Sequence, residues 1–133
     1  PDYFRRRKRP EQIDNLRQHA CLRMRRTNGA VAPWSFVNGN KPIEAIVAGP
    51  LIANDFPTIL GAALEGLGLA QAPAPIAAAA IRSVKLVRVL QPFEPTVPGV
   101  FLYYPSRHRM TPKLRAFVDH VKSAGASRTR KRR

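Results

Sequence analysis

The side chains best suited to metal binding or nucleophilic chemistry are three histidines and a single cysteine. They are His19, His108, His120 and Cys21. None of the histidines pairs at metal-ligand spacing with the cysteine or with a carboxylate. Asp119 precedes His120 directly, and adjacent residues of a helix point about 100° apart, so the two side chains do not meet at one substrate. The histidines are more typical of solvated positions, and Cys21 of a small buried side chain.

Motifs for hydrolysis and phosphate transfer are also absent from the sequence. It contains no Gly-x-Ser-x-Gly segment, which would expose a serine nucleophile. Gly61, Gly66 and Gly68 lack the lysine and hydroxyl residue of a phosphate-binding loop, and a tightly packed helix with its end explains them better. Eight acidic residues among 133 do not suggest a paired-carboxylate mechanism. The sequence therefore predicts a protein that is not an enzyme and has neither a metal site nor a cofactor.

One five-residue segment has the composition of a binding site. Its residues are Asn54, Asp55, Phe56, Pro57 and Thr58, between a short apolar run and an amphipathic pattern. In α/β sheets, ligands bind at the carboxyl ends of strands, and the N–H groups at a helix start favour anions. The alternative is that Asn54 or Asp55 only caps the helix. Caps are far commoner than ligand sites, so the residues alone favour capping and leave a ligand site open.

The net charge of +15 suggests a nucleic-acid partner, but its distribution weakens that hypothesis. Five consecutive bases occupy residues 5–9 and five more lie within residues 128–133, whereas four bases and four acids cancel between Thr27 and Tyr104. Nucleic-acid-binding modules usually combine bases and aromatic residues on one folded face, a pattern that this sequence does not show. The competing hypothesis is a small basic nucleic-acid-binding protein that acts through its arginine-rich ends.

One domain of modest size accounts for 133 residues with 44% hydrophobic content. The longest apolar stretch, residues 67–81, contains Gln71 and two prolines and is shorter than the roughly 20 residues of a membrane helix. A lone cysteine fits a reducing compartment. The sequence therefore predicts a soluble, cytoplasmic protein without a membrane partner. Pro1 at the first position indicates a fragment, a processed product or a trimmed chain.

The first half of the chain alternates between helix and strand patterns. Its predicted elements are a helical turn (2–7), a helix (11–19), a half-exposed strand (21–24) and two further strands (34–37 and 43–47). The last two flank Asn38-Gly39-Asn40. Asn-Gly between β-prone runs is the strongest local signal for a hairpin, because both residues tolerate positive φ.

The second half is predicted to continue this alternation. Its elements are strands (51–53, 69–72, 86–90 and 100–104), helices (56–67 and 76–81) and a last helix that Thr111 caps and Pro112 opens. Apolar residues of the 56–67 helix recur at helical spacing, and Gly66 and Gly68 end it. Residues 124–133 are small, polar and basic, which predicts a disordered tail. The whole pattern predicts an α/β sheet with helices on its faces.

An ordered series of segments resembles the effector-binding domain of LysR-type transcriptional regulators. The series is Trp34-Ser-Phe, the Asn38-Gly39 hairpin, Gly49-Pro-Leu-Ile-Ala-Asn-Asp55, Ala62-Ala-Leu-Glu-Gly-Leu-Gly68-Leu-Ala, Lys85-Leu-Val-Arg-Val-Leu90, Tyr104-Pro-Ser-Arg107 and Pro112-Lys-Leu-Arg-Ala-Phe-Val-Asp119. The opening Pro1-Asp-Tyr-Phe is similar too, so the resemblance spans roughly residues 1–122. No single segment is diagnostic, but their order is specific.

The resemblance implies a fold like the type 2 periplasmic binding proteins, in which two α/β lobes joined by crossover strands close on an effector. By this resemblance, residues 1 to about 103 form the second lobe, and the chain returns at a hinge of Tyr104, Pro105 and Ser106. The last helix belongs with the first lobe, which is incomplete. The implied organisation is an effector-binding portion over residues 1–123 and a basic disordered tail over 124–133.

The resemblance further implies a binding site and partners. The segment 54–58 would face the cleft between the lobes, which favours effector contact over capping alone. Gln71, at a predicted buried-strand position, would be an effector contact or, preferably, a structural amide with its own hydrogen-bond partner. The implied effector is an organic acid or an aromatic metabolite. DNA would bind through an N-terminal winged helix-turn-helix that this sequence lacks, and copies would assemble as dimers or tetramers.

Overall fold

The structure is a computed structural model that describes residues 2–96 and 111–130, with side chains described up to residue 123. The chain forms two compact units, Pro1–Thr96 and Val97–Arg133. In the first, the described elements are strands β1 (Cys21–Met24), β2 (Trp34–Asn38), β3 (Lys41–Ala45), β4 (Ile52–Ala53) and β5 (Leu69–Ala70), helices α1 (Phe56–Leu64) and α2 (Ala74–Arg82), and three short 3-10 helices (Asp2–Arg5, Ile13–Gln18 and Gln91–Phe93). The second contains helix α3 (Pro112–Arg130). The strand predicted over 100–104 lies outside the described residues.

A parallel three-stranded sheet with β1 at its centre organises the first unit. β4 pairs with one edge of β1 and β5 with the other. Successive side chains of a strand point to opposite faces, so Cys21 enters one core cluster and Leu22 the other. Both residues are at most 1% exposed. The prediction of a half-exposed strand is therefore wrong for the start of β1, because layers of structure cover both faces there.

Helix α1 covers one face of the sheet, and the β2–β3 hairpin covers the other. Ile59 and Ala63 of α1 pack with Leu22. Trp34 and Phe36 of β2 pack in the cluster that contains Cys21. The amphipathic pattern predicted for α1 is confirmed, although the helix ends at Leu64 rather than at residue 67.

Two glycines after α1 have different physical roles. Gly66, at φ +76°, donates its N–H to Ala63 O, while Leu67 N–H reaches Ala62 O, the pair of bonds that closes a helix with a left-handed residue. At Gly68, a Cβ would overlap the carbonyl group of Ala20. Gly66 therefore ends the helix. Gly68 lets the backbone pass close to Ala20, so that β5 can pair with β1.

The hairpin is confirmed, with its turn one residue later than the Asn-Gly signal suggests. Asn38 and Lys41 are the last paired residues, so Gly39 and Asn40 form the two-residue loop. Gly39 has φ +60°, whereas among the described non-glycine residues only Val84 and Leu90 have positive φ. A type II′ turn requires positive φ at its first loop residue only, and Gly39 meets that requirement.

The helix predicted over 11–19 is instead a 3-10 helix over Ile13–Gln18. The side-chain oxygen of Asn15 accepts hydrogen bonds from the N–H groups of Glu11 and Gln12, at 3.1 and 2.9 Å. Asparagine and aspartate bind nearby backbone groups in this way in competition with regular helix, and Asp14 adjoins Asn15. Local side-chain bonding therefore outweighs the apolar periodicity of this short segment.

The strand predicted over 86–90 is wrong. Residues 87–90 form no regular element, and Leu90 adopts a left-handed conformation at φ 57° before the 3-10 helix Gln91–Phe93. Leu90 is nevertheless buried in the same cluster as Cys21. The alternating apolar side chains anchor this irregular segment to the core, and no described strand pairs with its backbone.

Helix α3 begins as predicted, and its backbone extends further than predicted. Thr111 Oγ1 accepts a hydrogen bond from Leu114 N–H at 3.3 Å, and Pro112 is the first helical residue. The helix continues to Arg130, through residues 124–130 that the sequence predicts to be disordered. Alanine and arginine, which recur there, are strong helix formers. In the described part of the chain, no helix has the length and apolarity needed to cross a membrane.

The close approach at Gly68 yields a stability prediction with an internal control. Gly68→Ala is expected to lower the free energy of unfolding by about 1–3 kcal/mol, as overpacking does, because the new methyl group meets backbone that cannot rotate away. Gly61→Ala, in the middle of α1 with nothing near its outward position, is expected to raise it by about 1 kcal/mol. Urea denaturation of both variants measures the difference, and similar stability of the two would contradict the close approach.

Candidate functional site

The carboxyl edge of the parallel sheet brings together residues that are distant in sequence. β1 and β4 end side by side, with Met24 paired to Ala53. On the other side, Leu22 of β1 pairs with Ala70, the last residue of β5. Asn54 and Gln71 are therefore the first residues beyond two strands that flank the same central strand. Carboxyl edges of this kind are where ligands bind in open α/β sheets.

Asp55 caps α1, and its carboxylate lies where an anionic ligand of this helix would bind. One carboxylate oxygen accepts a hydrogen bond from Thr58 N–H at 2.8 Å, and the other accepts one from Thr58 Oγ1 at 2.9 Å. Pro57 has no N–H to offer. The positive end of the helix dipole is thus already matched by a negative side chain. The structure identifies Asp55, rather than Asn54, as the cap that the sequence left undecided.

The remaining residues of the segment 54–58 differ in exposure. Asn54, Pro57 and Thr58 are exposed, and Phe56 is half-buried. Within the described residues, the carboxamide of Asn54 has no hydrogen-bond partner, unlike the side chains of Asp55 and Thr58. Asn54 is consequently the polar group of this segment that is free to bind a ligand.

Gln71 is held by the backbone of β2. Its side-chain oxygen accepts a hydrogen bond from Ser35 N–H at 3.0 Å, and its Nε2 donates to Ser35 O at 2.8 Å. The residue is half-buried and follows β5 instead of lying within it. The amide therefore acts as an extra backbone unit that ties the sheet to the hairpin, and one N–H and one lone pair stay available.

Arg25 is a cation of this edge that the sequence did not single out. Its backbone N–H donates to Ala53 O at 2.8 Å, so its side chain starts beside the first residue of the segment 54–58. The exposed guanidinium donates only to Gly29 O, at 3.4 Å, among its described contacts. The register between β1 and β4 brings it there, and no local sequence signal contains that register.

The predicted hinge of Tyr104, Pro105 and Ser106 lies outside the described residues. The concave surfaces of the described residues include one lined by residues 4–9 and another lined by Pro112, Arg115, Ala116 and Asp119. Neither includes the segment 54–58. The carboxyl edge itself exposes specific polar groups, among them Arg25 and Asn54.

Cys21 has the setting of a core residue. It is fully buried, and its Sγ lies 3.9 Å from Leu16 O. Burial raises the pKa of the thiol to about 11, opposed by the nearby charge of Arg23. A thiol with that pKa is protonated at neutral pH and is a poor nucleophile. Among the described residues, no group of three or more His, Cys, Asp or Glu side chains could hold a metal ion.

His19 is part of a hydrogen-bonded anchor for the N-terminal segment. Tyr3 Oη accepts from Ala20 N–H at 2.9 Å and from Arg7 Nη1 at 3.3 Å. Its own proton is then left for Nδ1 of His19, 3.2 Å away, which requires a neutral imidazole. Burial, and secondarily the charge of Arg7, lower the pKa of His19 and favour that neutral form.

Comparison with known proteins identifies a matching family model and several relatives. The model, described as the LysR substrate binding domain, matches residues 1–126. The chain is 35% identical over 127 residues to the HTH-type transcriptional regulator PgrR of Escherichia coli K12, covering 95% of this chain and 42% of PgrR. It is 36% identical over 106 residues to YagP of the same strain, named as a LysR family substrate binding domain-containing protein, covering 78% of this chain and 77% of YagP. The chain thus spans about two fifths of the length of PgrR.

Solved structures show similarity of fold. The regulatory domain of AphB from Vibrio vulnificus superposes with a TM-score of 0.72 at 21% identity, covering 93% of this chain and 61% of that domain. Full-length AphB of Vibrio cholerae, described as a virulence activator and member of the LTTR family, superposes with a TM-score of 0.60 at 22% identity, covering 70% of this chain and 31% of AphB.

Two substitutions separate the capping role of Asp55 from its charge. Asp55→Ala is expected to lower the free energy of unfolding by about 1 kcal/mol, because Thr58 N–H loses its acceptor. Asp55→Asn keeps an acceptor and caps equally well, so its stability should stay close to that of the unchanged protein. Chemical denaturation of both variants tests this, and an equal loss in the two would show that the charge, not the cap, matters.

The setting of His19 predicts a pH dependence of stability. Its pKa in the folded chain lies below the ordinary 6.5, so the unfolded chain takes up a proton first as the pH falls. The contribution of His19 is therefore fully present above pH 6.5 and is lost as the pH falls from there toward its folded pKa. The difference in unfolding free energy between the unchanged chain and His19→Asn should be constant above pH 6.5 and should change as the pH falls below 6.5. Parallel curves for the two proteins would exclude the role assigned to His19.

Proposed function

Because this chain belongs to the LysR substrate-binding domain family, we propose that it is the small-molecule-sensing part of a DNA-binding transcriptional regulator. Its fold is the α/β, periplasmic-binding-protein-like fold of LysR regulatory domains. In the full-length regulator, DNA binds through a helix-turn-helix domain and the protein works in the cytoplasm, where its DNA is. The relatives are named as transcriptional regulators, which supports a role in regulation rather than catalysis. They lend no support to the competing hypothesis of a small basic nucleic-acid-binding protein.

The observation that supports effector binding most directly is the exposed carboxamide of Asn54, which has no partner among the described residues and follows Ala53, the backbone partner of Arg25. Asp55 already matches the positive end of α1, so an effector carboxylate is disfavoured at the helix start. For an organic acid, the guanidinium of Arg25 supplies the counter-charge, and the carboxamide of Asn54 binds neutral oxygen atoms. For an aromatic metabolite, the half-buried ring of Phe56 offers an apolar contact. The free N–H and lone pair of Gln71 extend the same edge.

The signal would pass from the effector to DNA through a change in the relative orientation of the two lobes. An effector shifts such an equilibrium only by binding one arrangement more tightly than the other. Tyr104, Pro105 and Ser106 are the proposed hinge. Homo-oligomerisation is supported by Leu64 and Leu67, at the end of α1, which are 40% and 47% exposed.

Effector binding at Asn54 can be tested with a panel of organic acids and aromatic metabolites. A true effector should raise the thermal midpoint of the chain with a dependence on ligand concentration, by about 2.7 kcal/mol of added stability at 100 times its Kd. Asn54→Ala should weaken that response at least about tenfold in apparent Kd, the loss expected for about 1.4 kcal/mol of hydrogen bonding.

The matched control is Asn40→Ala, because Asn40 is also exposed but lies in the hairpin turn. It should leave the apparent Kd unchanged. If both variants respond to every hit like the unchanged chain, Asn54 is not an effector contact. If no member of the panel alters the midpoint, the proposed sensor class loses its main support.

A further inference from the structure

We infer that residues Arg5, Arg6, Arg7, Lys8 and Arg9 form a surface that binds the phosphate backbone of duplex DNA without reading its sequence. This segment is called the basic strap below. The inference rests on the proposed function only in the choice of DNA as the polyanion. It goes beyond that function, because it gives the sensing domain a DNA contact of its own, separate from any helix-turn-helix.

The strap is attached to the fold at both of its ends. Tyr3 and Phe4, just before it, pack against the core cluster that contains Cys21. Pro10, just after it, is buried. Between these anchors all five basic residues are exposed, and together with Phe4 they line one concave surface. The bases are therefore held in a fixed place on a folded surface, unlike those of a free tail.

Most of the positive charge of the strap is uncompensated. Arg5 pairs with Asp2 at 3.1 Å, and both side chains are exposed. Arg7 donates to neutral oxygen atoms, Tyr3 Oη at 3.3 Å and Gln18 O at 3.2 Å. The Arg9 guanidinium lies 5.9 Å from the centre of the Phe4 ring, which leaves its charge intact.

Arg6 and Lys8 complete the strap. Neither has a partner among the described residues. Within the described part of the chain, one of the five cations is balanced by an acid, so about four can replace the counterions of a polyanion.

The neighbouring aromatic residues favour duplex DNA over other polyanions. Proteins that grip single strands stack bases on exposed aromatic rings. Here Tyr3 and Phe4 are half-buried against the core, and each ring already has an arginine near it, Arg7 and Arg9 respectively. Amphipathic segments that lie on membranes add apolar side chains to their cations, and the strap itself contains none.

The salt dependence of DNA binding tests the inference. The complete chain is titrated with a labelled random duplex of about 20 base pairs at salt concentrations from roughly 50 to 200 mM, followed by fluorescence anisotropy. Arg6→Gln/Lys8→Gln removes the two unpartnered cations, and the C-terminal bases stay in place. The slope of log K against log salt should become shallower by about 1.8, because each lost phosphate contact contributes about 0.9.

The matched control is Lys41→Gln/Lys85→Gln, which removes the same charge from exposed positions outside the strap. Its slope should stay within about 0.5 of that of the unchanged chain, less than one phosphate contact. An equal change in both double variants would mean that DNA senses only the net charge and would overturn the inference. An unchanged slope in the strap variant would overturn it as well. A larger effect of the strap variant on binding to phosphatidylserine vesicles than to DNA would reassign the surface to membranes.

The outcomes for the strap and for the sensor are independent. The strap side chains are exposed, so the strap variant should keep the thermal midpoint of the unchanged chain and its response to an effector. A strap variant with a shallower slope in a chain that responds to no effector would leave the strap standing while the proposed function fails. A normal effector response together with an unchanged slope in the strap variant would support the proposed function and overturn the strap inference.

Discussion

The structure depends on how closely the backbone approaches both edges of β1. On one edge, Cys21 N–H binds Ala48 O at 2.9 Å and Gly49 lies against the backbone of Cys21. On the other, Leu69 N–H binds Ala20 O at 2.8 Å and Gly68 lies against the Ala20 carbonyl. Neither place has room for a Cβ, and backbone, unlike a side chain, cannot change rotamer to make room. The glycines therefore allow β1 to be central, with a helix on one face and a hairpin on the other.

The candidate site is a consequence of that central strand. Because β4 and β5 lie on opposite sides of β1, Arg25, Asn54 and Gln71 emerge from one edge although they are far apart in sequence. The edge carries charges of both signs, the carboxylate of Asp55 fixed at the start of the helix and the exposed guanidinium of Arg25 at the end of β1. The basic strap is attached to the same core through Tyr3 and Phe4, so a neutral body carries a charged surface at a constant position.

Local patterns predicted the elements whose formation needs only neighbouring residues. The amphipathic spacing of α1, its cap, its glycine end and the cap of α3 all involve bonds within a few residues, and each is present. The hairpin was also predictable, although the turn uses Gly39 and Asn40. The segments 11–19 and 86–90 were misassigned, because apolar periodicity reports which side chains are buried and not which backbone groups pair. Asn15 and Leu90 show the difference: one diverts the backbone with its side chain, and the other is buried without belonging to a strand.

The sequence by itself determined the α/β class and the resemblance to a LysR effector domain, and it predicted a binding site at the segment 54–58. Those conclusions depend on order, spacing and composition, which a chain carries in one dimension. Only the tertiary structure decided that Gln71 binds Ser35 and that Arg25 belongs to the same edge. These facts depend on strand register and on hydrogen bonds between residues up to 36 positions apart. Such contacts form only when the core closes, so no local pattern encodes them.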